Sequence, residues 1–557
     1  MPRPPFPDAS TEPPRVWNIQ DFVGINTQPK RSAIGDNEFS WLQNYFPIGS
    51  GNMRTLWSNA PASYTAPAGK TIVYFKMFNI GSALQAGVFF SDGTAVQVNP
   101  ATGAAVTISS TVGTFYIGNY NPAVAQWNAN GIVIATEATN PNGYYAWDGS
   151  TLYAPGSPAP DWLTDNTATT MPSGIHGNAI EVYGNRAWVT TPPETGGVPS
   201  TLSNSGPGNG ATFSGTAGGG TTPQQDSSLV YTFTGLRQTN GFLYYFGDSA
   251  TGVISNVQTA TSGSSLVTTY SNQNVDPQKG TPWRATIRAF TTGFGPGIMF
   301  ANPQGVHLLV GGSVQKVSSD LDGIFANADF NTLTPSAGVA IIYGISVYCL
   351  LIKTLDYQGN PIVVMCMTDG MQKGNGFRWW LATQSASLKF ISWSEINSQL
   401  TCWGTDGTSV YQLFAAPSAA LPKIVQSKFF PGQVPGEYIT YKKMYRMLLQ
   451  AQDNAGTGVL LTGTADANAA STPISLNSLV TAGGSGAIVF VNNSGGIIQF
   501  VNNLGEPINF TVASLLIPWT DVSCYGALMG VTLVSTSQDF TLIALTMLYS
   551  LDAPVGG

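Results

Sequence analysis

Two histidines and four cysteines are what this chain of 557 residues offers for thiol or soft-metal chemistry. His176 and His307 stand alone, and Cys349, Cys366, Cys402 and Cys524 lack the Cys-x-x-Cys spacing of a zinc or redox centre. His307 alternates within the apolar run Gly305-Val-His-Leu-Leu, which predicts a packed imidazole. Cys349 and Cys366 sit in apolar runs that predict buried free thiols. Near matches to Gly-x-Ser-x-Gly lie in Gly/Ser-rich stretches with no helix after them, and the phosphate-loop pattern Gly-x4-Gly-Lys-[Ser/Thr] does not occur.

Carboxylates are the other resource, 29 Asp and Glu together. Asp92, Asp148 and Asp406 each precede a glycine, which points to turn formation before acid–base work. No pair is nominated for glycoside hydrolysis, and the Ser-x-Asp-x-Gly-x-Thr-Trp box of sialidases does not occur. Ser319-Asp-Leu-Asp-Gly323 resembles a fragment of a calcium loop without its later ligands or terminal Glu, which leaves a structural calcium unsupported. No cofactor is expected. Trp379, Trp380, Trp393 and Trp403 could stack on sugars, but their strand context favours packing between sheets. Lys423, Lys428, Lys442, Lys443 and Arg446, interleaved with Tyr438, Tyr441 and Tyr445, form the one notable basic cluster. It is read as a solvated face or a docking strip for an acidic partner, in preference to a nucleic-acid contact.

The elements that would carry these residues are strands. Gly 63 and Pro 36, with abundant Ser, Thr and Asn, supply turns between short runs of Val, Ile, Tyr, Phe and Trp. Hairpin signatures recur at Ala86-Gly-Val-Phe-Phe-Ser-Asp-Gly-Thr-Ala-Val, at Gly131-Ile-Val-Ile-Ala-Thr leading to Tyr144-Tyr-Ala-Trp-Asp-Gly-Ser-Thr-Leu-Tyr, at residues 298–309 and at residues 400–414. The spacing predicts an all-β fold: a β-propeller of short repeated hairpins over residues 59–425, with a C-terminal β-sandwich-like domain over residues 426–557. Residues 1–58 read as an extended, Pro-rich N-terminal arm and lead-in strand. Residues 194–228, with Ser205-Gly-Pro-Gly-Asn-Gly and Gly218-Gly-Gly, read as a long surface loop.

Only 9% of residues are charged against a typical ~25%. A surface so poor in charge suits a protein whose faces are covered in an assembly. Beyond Arg446 there is no Lys or Arg, while Asp453, Asp466, Glu506, Asp521, Asp539 and Asp552 remain. Such a region should repel a nucleic-acid backbone, as a wall along which DNA slides would. No run reaches ~18 apolar residues, so no membrane span is expected. Met-Pro-Arg-Pro-Pro-Phe-Pro lacks an apolar signal core, so synthesis and retention in a cytoplasm are expected.

The N-terminal stretch Phe22-Val-Gly-Ile-Asn-Thr, then Ile34-Gly-Asp-Asn-Glu-Phe-Ser-Trp-Leu-Gln-Asn44, then Gly51-Asn-Met-Arg, resembles the opening of virion proteins of tailed bacteriophages. With Gly305-Val-His-Leu-Leu, Ser318-Ser-Asp-Leu-Asp-Gly, Trp403-Gly-Thr-Asp-Gly-Thr-Ser-Val-Tyr and the strands of residues 526–549, the chain is similar to the tail nozzle proteins of short-tailed phages. That resemblance implies a virion structural protein, not an enzyme: a subunit of a homohexameric nozzle below the portal and adaptor rings. Its partners would be itself, those rings, tail fibre or needle proteins, and DNA in transit during ejection. Receptor or glycan binding is the alternative expectation, and a propeller glycoside hydrolase ranks behind it.

Overall fold

The blades begin with turn chemistry. Asp92 accepts from the Thr94 N–H at 3.0 Å and the Thr94 hydroxyl at 2.7 Å, and Gly93 turns with φ +77°. Asp148 and Asp406 build the same device more fully. Asp148 accepts from the N–H groups of Ser150 and Thr151 at 2.8 and 2.7 Å and from the Tyr153 hydroxyl at 2.9 Å. Asp406 accepts from the N–H groups of Thr408 and Ser409, both at 2.8 Å, and from the Tyr411 hydroxyl at 2.8 Å. All three aspartates are therefore turn formers, as their Asp-Gly context predicts.

The structure is a computed structural model describing residues 14–554, except 29, 50, 138–142, 166, 168, 194–198, 224–231, 375, 397–398, 419–420, 433–439, 456–458, 468–469, 477–489, 492–496, 499–514 and 517–519. Among these, six four-stranded antiparallel sheets form the blades of a β-propeller ring. The first five run in chain order over residues 72–109, 123–153, 179–223, 233–276 and 288–316. The sixth joins Phe390–Ile396, Gln399–Thr405 and Ser409–Gln412 to Tyr64–Thr65, a strand that precedes the first blade. That pairing, Val410 opposite Tyr64 and Ser409 opposite Thr65, latches the ring shut.

Between the fifth and sixth blades the inner position is taken by Ser336–Ile342, which packs against Arg288–Thr292 on one side and Phe390–Ile396 on the other. This strand begins a ten-stranded sheet. The sheet continues through Ile345–Leu355, Pro361–Thr368 and Trp380–Ala382 to Glu38–Gln43, then Lys423–Ser427, Met529–Ser535 and Leu461–Ala467. A seven-stranded sheet lies beside it, with Phe540–Pro554 paired to Thr440–Asp453, Arg15–Ile19 and Asn52–Thr55. One apolar core spans these sheets, from Trp17, Phe39 and Trp41 to Trp379, Trp380, Met447 and Tyr549.

Three boundaries differ from the sequence reading. The Pro-rich start of the expected arm lies outside the described residues. Residues 15–55 are not a free lead-in: they supply strands to both large sheets, because Trp17, Phe39 and Trp41 alternate inward and need an apolar partner face. The division at 425/426 crosses a strand, Lys423–Ser427, that bonds to Glu38–Gln43 and to Met529–Ser535, so propeller sector and C-terminal strands share one sheet. The expected surface loop at 194–228 holds, in its described part, the third and fourth strands of the third blade, Thr201–Asn204 and Gly220–Pro223. Its turns are anchored by the buried Arg186 guanidinium, which donates to the Ser205 and Gly218 carbonyls at 2.8 Å each. Gly210 packs so closely under Trp127 and Leu163 that a Cβ there would sit 2.5 Å from Leu163 Cδ1. A polar segment thus gains its order from one cation and close backbone packing instead of an apolar stripe.

No helix among the described residues is long and apolar enough to cross a membrane.

Candidate functional site

The inner strands of a propeller line its axis, and here several of them carry charge. Lys76 stands on Ile72–Ile80, Glu181 on Ala179–Val182, Arg237 on Phe233–Thr239 and Arg288 at the start of Arg288–Thr292. Arg284 comes from the short helical turn before the fifth blade. These five line one small axial cavity with Tyr74, Phe390 and Ser392. A wider cavity of about 350 Å³ shares Lys76, Glu181 and Arg237 with it and adds Gln126, Gln238, Trp393, Ser394 and Glu395. In the first, second, third, fourth and sixth blades the wide cavity reaches further along the inner strands, so it opens toward those strands' C-terminal ends.

The deep end is a fixed plug. Arg284 donates to the carbonyls of Asn121 at 2.8 Å and Pro122 at 3.0 Å and also to that of Asn178, which ties the entries of the second and third blades together. Arg288 donates to the Ala337 and Ile287 carbonyls at 2.8 and 2.7 Å. Nearer the opening, Arg237 Nη1 lies 3.7 Å from Glu181 Oε2, with both side chains 21% exposed. The Lys76 Nζ lies 5.7 Å and the Arg237 Cζ 5.8 Å from the ring centre of Trp393.

Four cations face one carboxylate in the inner cavity, and the imbalance shows in their proton affinities. Burial, with repulsion from Arg288 and Arg237, brings the Lys76 ammonium down to about 7. Burial, reinforced by Arg237, lowers Arg288 to about 10. Burial raises Glu181, against the pull of Arg237, Lys76 and Arg288. Such an arrangement favours an incoming negative charge.

The basic cluster singled out in the sequence does not assemble. Lys423 is buried, donates to the Ser418 carbonyl at 2.6 Å and is lowered by burial to about 8. Lys428 is buried and reaches Asp36 at 2.7 Å. Lys442 is buried, donates to the Thr440 and Ala527 carbonyls at 2.9 and 2.7 Å and is lowered by burial to about 8. Strand alternation turns Lys443 outward beside it, and the exposed Arg446 pairs with Asp521 at 3.0 Å. The five therefore make no continuous strip, because three serve the interior of the sheets.

Of the tryptophans, Trp379, Trp380 and Trp403 are buried packing residues, with Trp403 Nε1 bonded to Ser394 Oγ at 2.9 Å. Trp393 alone of the four lines the axial cavity. His307 is buried against Phe300, ring centres 5.4 Å apart, and burial lowers it to about 4. All four cysteines are buried and free. In the calcium-like fragment, Asp320 pairs with Lys373 at 2.6 Å and Asp322 with Lys316 at 2.6 Å. No cluster of three or more His, Cys, Asp or Glu residues gathers among the described residues.

Lys76, Glu181, Arg237 and Arg288 form no group in the linear sequence. They lie far apart along the chain, one to a blade, and only the ring brings them together. The available signal was a lone cation in the middle of an otherwise apolar strand, as in Ile72-Val-Tyr-Phe-Lys-Met-Phe.

These features define a class: an all-β protein in which a propeller with a positively charged axial cavity shares a sheet with a stem formed by both ends of the chain. No family model matches the chain, and no curated protein does. Among solved structures it is similar to the β-propeller domain of Myceliophteria thermophila Cps50 (Swd1), at 10% identity and TM-score 0.35 over 64% of this chain and 99% of that one. YCF48 from Cyanidioschyzon merolae matches at 12% identity and TM-score 0.35 over the same shares, 64% and 99%. Trypanosoma rangeli sialidase, in complex with the inhibitor DANA, matches at 10% identity and TM-score 0.28 over 96% of each chain. These likenesses concern the propeller arrangement, and no activity is carried over from them.

Proposed function

We propose that the chain is a structural subunit of a phage tail nozzle, assembling with copies of itself, as a hexamer, below the portal and adaptor rings. What supports this reading, beside the sequence resemblance, is the ten-stranded sheet. It runs from the propeller sector at Ser336–Ile342 to the N-terminal strand Glu38–Gln43, which it joins where Gln43 lies opposite Leu381, and on to the C-terminal strands. A wall element that must carry load benefits from such continuity, since separating propeller from stem would break sheet hydrogen bonds instead of bending a linker. The sparsely charged exterior offers little repulsion between copies. In this reading the virion tail is its location, fibre or needle proteins dock on it, DNA passes without specific binding, and the chain performs no catalysis.

Electron microscopy of the purified protein, alone and with its adaptor ring, tests the proposal. Closed rings under either condition support it, and monomers under both would overturn it. A second reading, a receptor- or glycan-binding tail protein, draws on one observation, the Trp393 indole in the open axial cavity. Saturable binding on a glycan array would favour it.

A further inference from the structure

The upper part of the axial cavity holds hydrogen-bond donors without acceptors. Arg237 Nε and Trp393 Nε1 are both buried and unpartnered. Lys76, its Nζ 5.7 Å from the centre of the same indole, takes no hydrogen bond or ion pair among the described residues. Against these stand the Glu181 carboxylate, already beside Arg237 at 3.7 Å, and Asn79 Oδ1, a buried acceptor without a donor. A buried donor left unsatisfied is costly, and the Arg237 and Trp393 N–H groups, with the Lys76 ammonium lining the same cavity, are donors that a suitable ligand would satisfy. A stem-supporting propeller gains nothing from placing like charges on its axis, whereas a site that captures an anion needs them.

We propose that this cavity binds a small oxyanion, a carboxylate- or phosphate-bearing molecule, between Lys76 and Arg237 and beside the Trp393 indole. The opening of about 350 Å³ accommodates a monosaccharide-sized ligand. Arg284 and Arg288, spent on main-chain carbonyls, form a positive floor that attracts the anion without bonding to it. Gln126, Gln238 and Ser394 line the same space and offer neutral polar contacts. Glu395, exposed at the rim, disfavours a second negative group there.

Isothermal titration of the full chain with inorganic phosphate, with galacturonate and with neutral galactose tests the site. Saturable binding of phosphate or galacturonate, and none of galactose, is expected, and which anion binds more tightly separates the phosphate source from the carboxylate one. Lys76→Met and Arg237→Gln should each weaken the bound anion about tenfold or more, as loss of a charge-assisted hydrogen bond requires. Trp393→Phe keeps the ring, removes the N–H donor and should weaken it several-fold; it decides the matter if either charge variant fails to fold. Absence of saturable binding by both anions, or undiminished affinity in the folded variants, would overturn the proposal. Ring assembly is read separately by microscopy, so failure of this site and failure of the nozzle reading are distinguishable.

Discussion

The carboxylate of Asp539 holds the guanidinium of Arg54 with both oxygens, Oδ2 to Nη2 at 2.6 Å and Oδ1 to Nε at 3.0 Å, across 485 residues of chain. Thr55 Oγ1 and Asn454 Nδ2 also donate to Oδ1, at 3.3 and 3.2 Å. The contact welds the N-terminal strand Asn52–Thr55 to the start of Phe540–Pro554, where Thr541 lies opposite Arg54. It also changes the meaning of the acidic C-terminal region. Asp466 is similarly answered by Arg31 at 3.0 Å. Two of the acids that the linear sequence leaves without counter-ions are neutralised by residues near the other end.

Replacing Arg54 with alanine leaves the mostly buried Asp539 carboxylate without its cation. The expected cost is about 2–4 kcal/mol, below that of a fully enclosed pair because Arg54 is partly exposed. Amide hydrogen exchange is the suitable measurement, since a chain of this size need not unfold in one step. Protection should fall in Phe540–Pro554 and Asn52–Thr55 and stay unchanged in the second and third blades.

The same pair sets an acid limit. Burial works to raise the Asp539 carboxyl, but hydrogen bonds from Arg54 and Asn454 outweigh it and hold the group below its ordinary 3.8. A carboxyl lowered by folding contributes stability that is fully present above its unfolded value and is lost as pH falls through the folded one. Exchange protection of Phe540–Pro554 should therefore hold at pH 5 and decline below about pH 4. In Asp539→Asn that acid-dependent decline should be much reduced.

Ring closure rests on few bonds. Ser63 N–H donates to the Val410 carbonyl and Ala66 N–H to that of Thr408, each at 2.8 Å, on either side of the Tyr64–Thr65 pairing. Ser63→Pro removes one donor and should cost about 1–3 kcal/mol. Limited proteolysis should then cut near residues 60–66 sooner than in the unaltered chain, while Ser63→Ala, which keeps the N–H, should behave as the parent does.

The hairpins were legible because Asp-Gly turns declare themselves locally: Asp148 and Tyr153, or Asp406 and Tyr411, lie five residues apart and make the same contact. The latch was not, since nothing in Tyr64–Thr65 marks it as a partner of residues 409–410. The long sheet was hidden for the same reason, as Glu38–Gln43 bonds to a strand almost 400 residues later. Lys423, Lys428 and Lys442 misled because a basic cluster in one dimension says nothing of which side chains turn inward. The axial charges were scattered one to a blade, and a site that exists only on closure of a ring leaves no spacing to read.

Asp406 offers a contrast between turn and fold. Asp406→Ala removes the acceptor for two N–H groups and two hydroxyls, whereas Tyr411→Phe removes one donor. Thermal unfolding should show Asp406→Ala as the more damaging, by about 1 kcal/mol or more. An inverted order would mean that the tyrosine hydroxyl, not the turn, holds the sixth blade.

Lys76 should be a residue that the fold would be better without. Desolvated and facing Arg288, Arg237 and Arg284, with Glu181 pulling the other way, it falls from an ordinary 10.5 to about 7. A lysine lowered by folding penalises the folded state fully below its folded value, and the penalty fades as pH rises toward the unfolded value. Lys76→Met should accordingly raise the unfolding temperature, most strongly below about pH 7 and progressively less toward pH 10, measured by calorimetry in buffers free of phosphate and carboxylates. Adding galacturonate to the parent chain should recover part of that difference and raise Lys76→Met less at the same concentration, because stabilisation by a ligand follows its affinity for the folded state. A variant less stable than the parent at pH 6 would instead make Lys76 a structural support of the ring.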